Sequence, residues 1–213
     1  AINTLISKPV MAMIFGQGEV TYSLVGIPGI PRDITMDFSR DGGLTWMPAT
    51  SYSGEIDGIL PGTDLVIDWD LSSDFLGNEY GVRVRLRSDD GAESLPSDPF
   101  DILFTIISKP IVNASATSAA ITYNLSGVSG VGRQIALQFS TDGGFSWLPD
   151  PHIIGDISNI DVGLAWTLDW DYTFAIPGNL SNVRVRLISN DGAISPPSDP
   201  FSTGDGTGDG GDG

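Results

Sequence analysis

The chain of 213 residues contains no cysteine. Disulfides, thiolate metal centres and cysteine nucleophiles are therefore excluded. Its one histidine, His152, leaves no zinc centre built on several imidazoles. The two lysines and four glutamates are few, and both residue types are strong helix formers. No apolar run is long enough to span a bilayer as a helix. Glycine, proline, aspartate, serine, threonine, valine and isoleucine dominate instead. That is the composition of an all-β protein with many turns.

Formal charge is −17, and aspartate supplies 23 of the 27 acids. A surface of this sign repels nucleic acid and anionic membranes, so neither is an expected partner. It favours solubility and divalent cations. The sequence starts at Ala1 rather than methionine, which fits a removed export signal or an excised segment. With the missing cysteines, this points to an extracellular or cell-surface protein.

A repeat organises the chain. "ISKP" starts at Ile6 and Ile107, "FSRDGGLTW" at Phe38 and its counterpart "FSTDGGFSW" at Phe139, "DWD" at Asp68 and Asp169, "VRVRL" at Val82 and Val183, and "SDPF" at Ser97 and Ser198. The offset is 101 residues in every pair. That period is too long for a solenoid unit and matches one small domain. The expected division is an N-terminal strand over 1–5, a first domain over 6–106, a second over 107–201, and a Gly/Asp-rich tail over 202–213.

Within each repeat, apolar and polar residues alternate. Val20, Tyr22 and Leu24 fall on one face of their segment, as do Ile34, Met36 and Phe38, Leu65, Ile67 and Trp69, and Val82, Val84 and Leu86. The second repeat carries the same pattern. A period of two with one polar face marks antiparallel strands in a half-buried sheet. About seven such strands per repeat read as a β-sandwich. The fold class is thus all-β, with two tandem immunoglobulin-like antiparallel β-sandwich domains. The order of "FSRDGGLTW", "DWD", "VRVRL" and "SDPF" resembles immunoglobulin-like or fibronectin type III-like repeats of large bacterial and archaeal surface proteins. The resemblance implies an architecture rather than an activity.

"SRDGGLTW" (Ser39 to Trp46) and "STDGGFSW" (Ser140 to Trp147) also fit the Asp-box pattern familiar from sialidase propellers. A sialidase needs several boxes at blade spacing and a cluster of arginines. The local reading is a structural hairpin: Asp41 and Asp142 accept turn amides, Gly43 and Gly144 supply positive φ, and Trp46 and Trp147 pack over the turn. The arginines of "VRVRLR" alternate outward and are expected to pair with acids such as Asp37. No catalytic constellation emerges, and no enzyme is expected.

Loop aspartates suit calcium, which is the one cofactor considered. The candidate ligands are Asp89, Asp90 and Asp191, with Asp205, Asp209 and Asp212 in the tail. Three N-x-S/T sequons, at Asn113, Asn124 and Asn179, permit glycosylation.

Shifted by the same offset, "AINTLI" falls on "ILFTII", read as the last strand of domain one. Domain two then lacks that strand. The expectation is strand donation: Ala1, Ile2, Asn3, Thr4 and Leu5 of one copy lie beside Val183, Val185 and Leu187 of the next. Such a contact propagates. The favoured function is an extracellular structural subunit assembling head to tail into a filament or surface layer. The alternatives are spacer repeats of a large surface adhesin or a carbohydrate-binding module with surface glycans as partners.

Overall fold

The structure, a computed structural model, describes residues 4–204. Ala1, Ile2, Asn3, Asp205, Asp209 and Asp212 lie outside the described residues. The chain forms two units, 1–104 and 105–213.

In the first unit the strands are β1 (Leu5–Ile6), β2 (Val10–Ile14), β3 (Gln17–Val25), β4 (Ile34–Ser39), β5 (Met47–Pro48), β6 (Tyr52–Gly54), β7 (Gly62–Asp70), β8 (Glu79–Ser88) and β9 (Phe100–Ile102). One sheet has the order β1–β3–β7–β6, with β2 also paired to β3; the other is β5–β4–β8–β9. All pairings are antiparallel. In the second unit the strands are β10 (Thr105–Ile107), β11 (Ile111–Ala114), β12 (Ser118–Gly127), β13 (Ile135–Ser140), β14 (Leu148–Asp150), β15 (Ile153–Gly155), β16 (Gly163–Asp171) and β17 (Arg184–Ser189). They form sheets β10–β12–β16–β15, with β11 on β12, and β14–β13–β17. This division of strands between two sheets is that of an immunoglobulin-like sandwich. No helix among the described residues is long and apolar enough to cross a membrane.

The alternation seen in the sequence sets the core. Val20, Tyr22, Leu24, Ile67, Trp69, Val82, Val84 and Leu86 are buried between the sheets, and the second unit buries the matching residues. Each fully buried aliphatic or aromatic side chain contributes roughly 1.5–3 kcal/mol. At the centre of the first core, Trp69 meets Phe38 and Phe75 at ring-centroid distances of 5.6 and 5.7 Å. In the second, Trp170 meets Phe139 and Tyr172, each at 5.5 Å. A buried indole N–H needs an acceptor. Trp69 donates to Asp74 (2.8 Å) and Trp170 to Asp150 (2.9 Å).

The expected domain boundary needs correction. Thr105–Ile107 is not the last strand of the first domain. It pairs with β12, Ile107 opposite Leu125, and opens the second unit. Leu5–Ile6 likewise opens the first unit, with Ile6 opposite Leu24. Pro9 and Pro110, which have no N–H to give, separate these short strands from β2 and β11. The boundary therefore falls between 104 and 105 rather than between 106 and 107.

Candidate functional site

Three side-chain devices recur in both units. The first is the β4–β5 hairpin. Ser39 Oγ donates to Asp41 (2.8 Å) and accepts from Gly43 N (2.8 Å). Asp41 then accepts from Leu44 N (3.0 Å), Thr45 N (2.9 Å) and Thr45 Oγ1 (2.5 Å). Gly43 has φ +100°, which only glycine takes without strain, and its carbonyl accepts from Trp46 Nε1 (3.1 Å). The ring of Trp46 covers the Arg85 guanidinium at 4.6 Å. In the second unit Asp142, Gly144 and Trp147 make the same contacts with Phe145 N, Ser146 and Arg186. The Thr45 hydroxyl and amide, with the Ser39 hydroxyl, hold the Asp41 pKa down to about 2; Asp142 is lowered by the same kind of donors, Ser146 first.

The second device ties down the first strand. Thr4 Oγ1 donates to Asp90 (2.6 Å) and accepts from Arg32 Nε (3.0 Å), while Arg32 reaches Asp90 at 3.1 Å. Hydrogen bonds from Ser88 and Thr4 bring the Asp90 pKa to about 2. The second unit repeats the tie with Thr105, Arg133 and Asp191, where Ser189 also donates to Asp191. Lys8–Asp98 and Lys109–Asp199, both at 2.6 Å, pin the start of β2 and β11 across the open side of each sandwich.

These contacts show how three of the calcium candidates, Asp89, Asp90 and Asp191, are engaged within their own units; the other three lie outside the described residues. Asp90 and Asp191 spend their oxygens on hydroxyl and guanidinium donors. Asp89 lies 3.9 Å from Arg32. Among the described residues no three acidic or histidine side chains are grouped to hold a metal ion.

The third device seals an edge. The segment after β8 is proline-rich and cannot supply a regular ladder. Two serine hydroxyls substitute: Leu86 N donates to Ser94 Oγ (2.9 Å) and Val84 N to Ser97 Oγ (3.0 Å). On β17, Leu187 N donates to Ser195 Oγ (2.9 Å) and Val185 N to Ser198 Oγ (3.0 Å). Val183 exchanges both backbone bonds with Phe201 (3.0 and 2.9 Å). Beyond it, Thr203 N donates to Leu180 O (2.9 Å), and Leu180 N donates to Thr203 Oγ1 (3.0 Å).

Among the described residues the expected acceptor edge is occupied within its own unit, while the donor residues Ala1, Ile2 and Asn3 lie outside the described residues. Leu5 belongs to the first unit's own β1, and Thr4 directly precedes it. The backbone of Val183, Val185 and Leu187 is satisfied within its own unit, and their side chains lie in the core. Thr203 takes the place that Ile102 holds in the first unit.

Asn113 is exposed on β11 and Asn179 is exposed in a loop. Asn124 is half-buried at a bulge, where its Oδ1 accepts from Ala165 N (2.8 Å). The residues that sequence reasoning missed are Arg32, Arg133 and the four sealing serines. Their signal was present: each recurs at the repeat spacing, the arginines just before β4 and β13.

No family model and no curated protein match the chain. Solved structures do resemble it. The FN1-FN3 domains of chicken CNTN1 align over 94% of this chain and 68% of that one, with 14% identity and a TM-score of 0.31. A tetra-tandem repeat from the extending region of a large adhesion protein aligns over 94% of this chain and 47% of that one, with 12% identity and a TM-score of 0.30. The chain thus spans less than half of the second. Likeness at this level adds nothing to the fold argued from strand order.

Proposed function

We propose that the chain is a non-enzymatic, extracellular spacer: tandem sandwich repeats that set distance and carry load in a surface adhesin. The observation that carries this reading is the repetition of the fastening devices. Each unit locks its entering strand through a Thr–Asp–Arg tie and a Lys–Asp pair, and closes its exit edge with serine hydroxyls. Sealed edges keep neighbouring repeats from exchanging strands, the standing hazard of tandem β domains. Only Leu103 and Phe104 separate β9 from β10, so one unit feeds directly into the next. The absence of cysteine and the acidic surface suit an extracellular setting.

Single-molecule pulling between residues 4 and 204 tests this. Two discrete unfolding steps are expected, each releasing about 30 nm, from roughly 3.4 Å per residue of extended chain less the folded length. Gradual extension without steps would overturn the load-bearing reading. Specific binding on a glycan array would favour the carbohydrate-binding alternative.

A further inference from the structure

Because the two repeats share one frame, each shows which residues the frame does not require of the other. On the outer face of β4 and β8, the first unit is charged. Asp37 is buried between Arg85 (3.0 Å) and Arg87 (2.9 Å), Arg85 lies 3.6 Å from Glu93, and Arg87 is the cross-strand partner of Glu93. In the second unit the same positions hold Gln138, Arg186, Ile188 and Ile194, and the Arg–Glu pair has become Ile188 opposite Ile194. Ile194 is 51% exposed. Arg186 donates to Gln138 Oε1 (2.8 Å) and lies 4.5 Å from the Trp147 ring, with no carboxylate partner among the described residues.

The first unit departs on its other sheet. Glu19 and Asp68 stand directly opposite each other on β3 and β7, and neither side chain has an ion pair or hydrogen bond among the described residues. Like charges so placed destabilise a sheet. The same row begins with Ala12 on β2, flanked by Val10 and Ile14, which are 65% and 77% exposed. In the second unit alanine (Ala120) replaces Glu19, and the clash is gone.

We infer that these two faces bind each other between copies of this chain. Ile188, Ile194 and Arg186 on the second unit of one copy meet Val10, Ile14, Glu19 and Asp68 on the first unit of another. One face holds a cation without a carboxylate, the other carboxylates without a cation, and each lies beside exposed apolar side chains. On a chain of charge −17, unspecific approach of copies is repulsive, which favours a contact in which one of the two faces lacks carboxylates and holds a cation. The apolar strips supply affinity and the charges set the register. This goes beyond the spacer reading and does not depend on it.

The test is sedimentation velocity of the whole chain over a range of concentrations, at low and high salt. Mass should rise with concentration, and less so at high salt. The triple variant Gln138→Asp, Ile188→Arg, Ile194→Glu installs residues that the first unit already accommodates, so it should melt as a folded unit while association weakens by about tenfold or more. Asp68→Arg and Arg186→Glu should each weaken association, and a mixture of the two should restore it. A chain monomeric at every concentration overturns the proposal. So does association that is indifferent to the triple variant, or that survives Asp68→Arg, which would place Ile188 against its own copy instead.

Discussion

Arg133 and Arg32 occupy the same place in the two repeats, yet Arg133 is far better covered, and that difference sets a measurable asymmetry. The Arg133 side chain is 1% exposed and lies 3.4 Å from Asp191, itself 11% exposed. It also donates to the carbonyls of Val128 and Val131 at 2.8 Å each, and to Thr105 Oγ1. Replacing it with alanine takes the cation from a largely buried carboxylate, which keeps only its Thr105 and Ser189 hydroxyl donors, and removes the donors of two carbonyls. Breaking a buried pair from one side costs about 3–5 kcal/mol. Arg32 is 19% exposed and its partner Asp90 20%, so water reaches the tie. Arg32→Ala should therefore cost less, about 1–2 kcal/mol. For a domain of about 100 residues each kcal/mol moves Tm by roughly 4–8 °C. Urea titrations followed by hydrogen exchange and mass spectrometry would read the units separately. Arg133→Ala should unfold the second unit well before the first, while Arg32→Ala narrows or reverses that order only modestly. Equal losses in the two variants, or a loss below about 1 kcal/mol for Arg133→Ala, would refute the argument that burial sets the value of the tie.

Three further expectations follow from particular contacts. Asp41→Ala and Asp142→Ala remove matched sets of turn acceptors and should each lower Tm in thermal melts to a similar degree, by analogy with capping residues; markedly unequal losses would show that the two hairpins are not equivalent. The carboxyls of Asp41 and Asp90 titrate near 2 in the folded chain, below the usual unfolded value near 3.9, so their contribution is fully present above that value and disappears as pH falls. Tm should stay level from neutral pH to about 5 and fall between about 4 and 2; a Tm that holds level down to pH 2 contradicts this. Ala165 holds φ +58° opposite the bulge at Asn124, a conformation that suits glycine, and Ala165→Gly should raise stability by about 0.5–1 kcal/mol in chemical denaturation; an unchanged or lowered midpoint contradicts this.

The sandwich was legible because half-buried sheets write a period of two into the sequence, and Val20–Tyr22–Leu24 or Val82–Val84–Leu86 can be read without any partner. Ownership of strands was not legible. "FDILFTII" is one apolar, β-branched stretch, yet Phe100–Ile102 pairs with β8 and Thr105–Ile107 with β12. Nothing local marks the transfer, because pairing is decided by strands distant in sequence. The buried tryptophans show the same limit. Each needs an acceptor, but the first unit supplies Asp74 after β7 and the second supplies Asp150 from β14; the corresponding residues are Ala175 and Ala49. The exchange makes sense only once both elements are seen converging on one indole. The arginine ties of Asp90 and Asp191 were hidden for a related reason, since an Asp in an Asp-Gly loop looks the same whether it faces water, a cation or a tethered arginine.

The end of the second sandwich gives the sharpest test of the corrected topology. Ile102 closes the first unit and is fully buried, whereas Thr203 takes its place in the second and is 3% exposed. Threonine there gives up apolar contact but its hydroxyl accepts from Leu180 N, the group that a regular strand partner would otherwise satisfy. A chain ending at Phe201 loses this bond and the one from Thr203 N to Leu180 O. At about 0.5–1.5 kcal/mol each, the second unit should be destabilised by about 1–3 kcal/mol and the first left unchanged. Strand donation makes a different claim: a peptide spanning residues 1–6 should rescue the shortened chain by filling a vacant edge. With Val185 and Leu187 already donating to Ser198 and Ser195, that peptide has no ladder to join, and no rescue is expected. Recovery of the second unit's Tm on adding the peptide would show that the serine seal opens and that the edge is available after all.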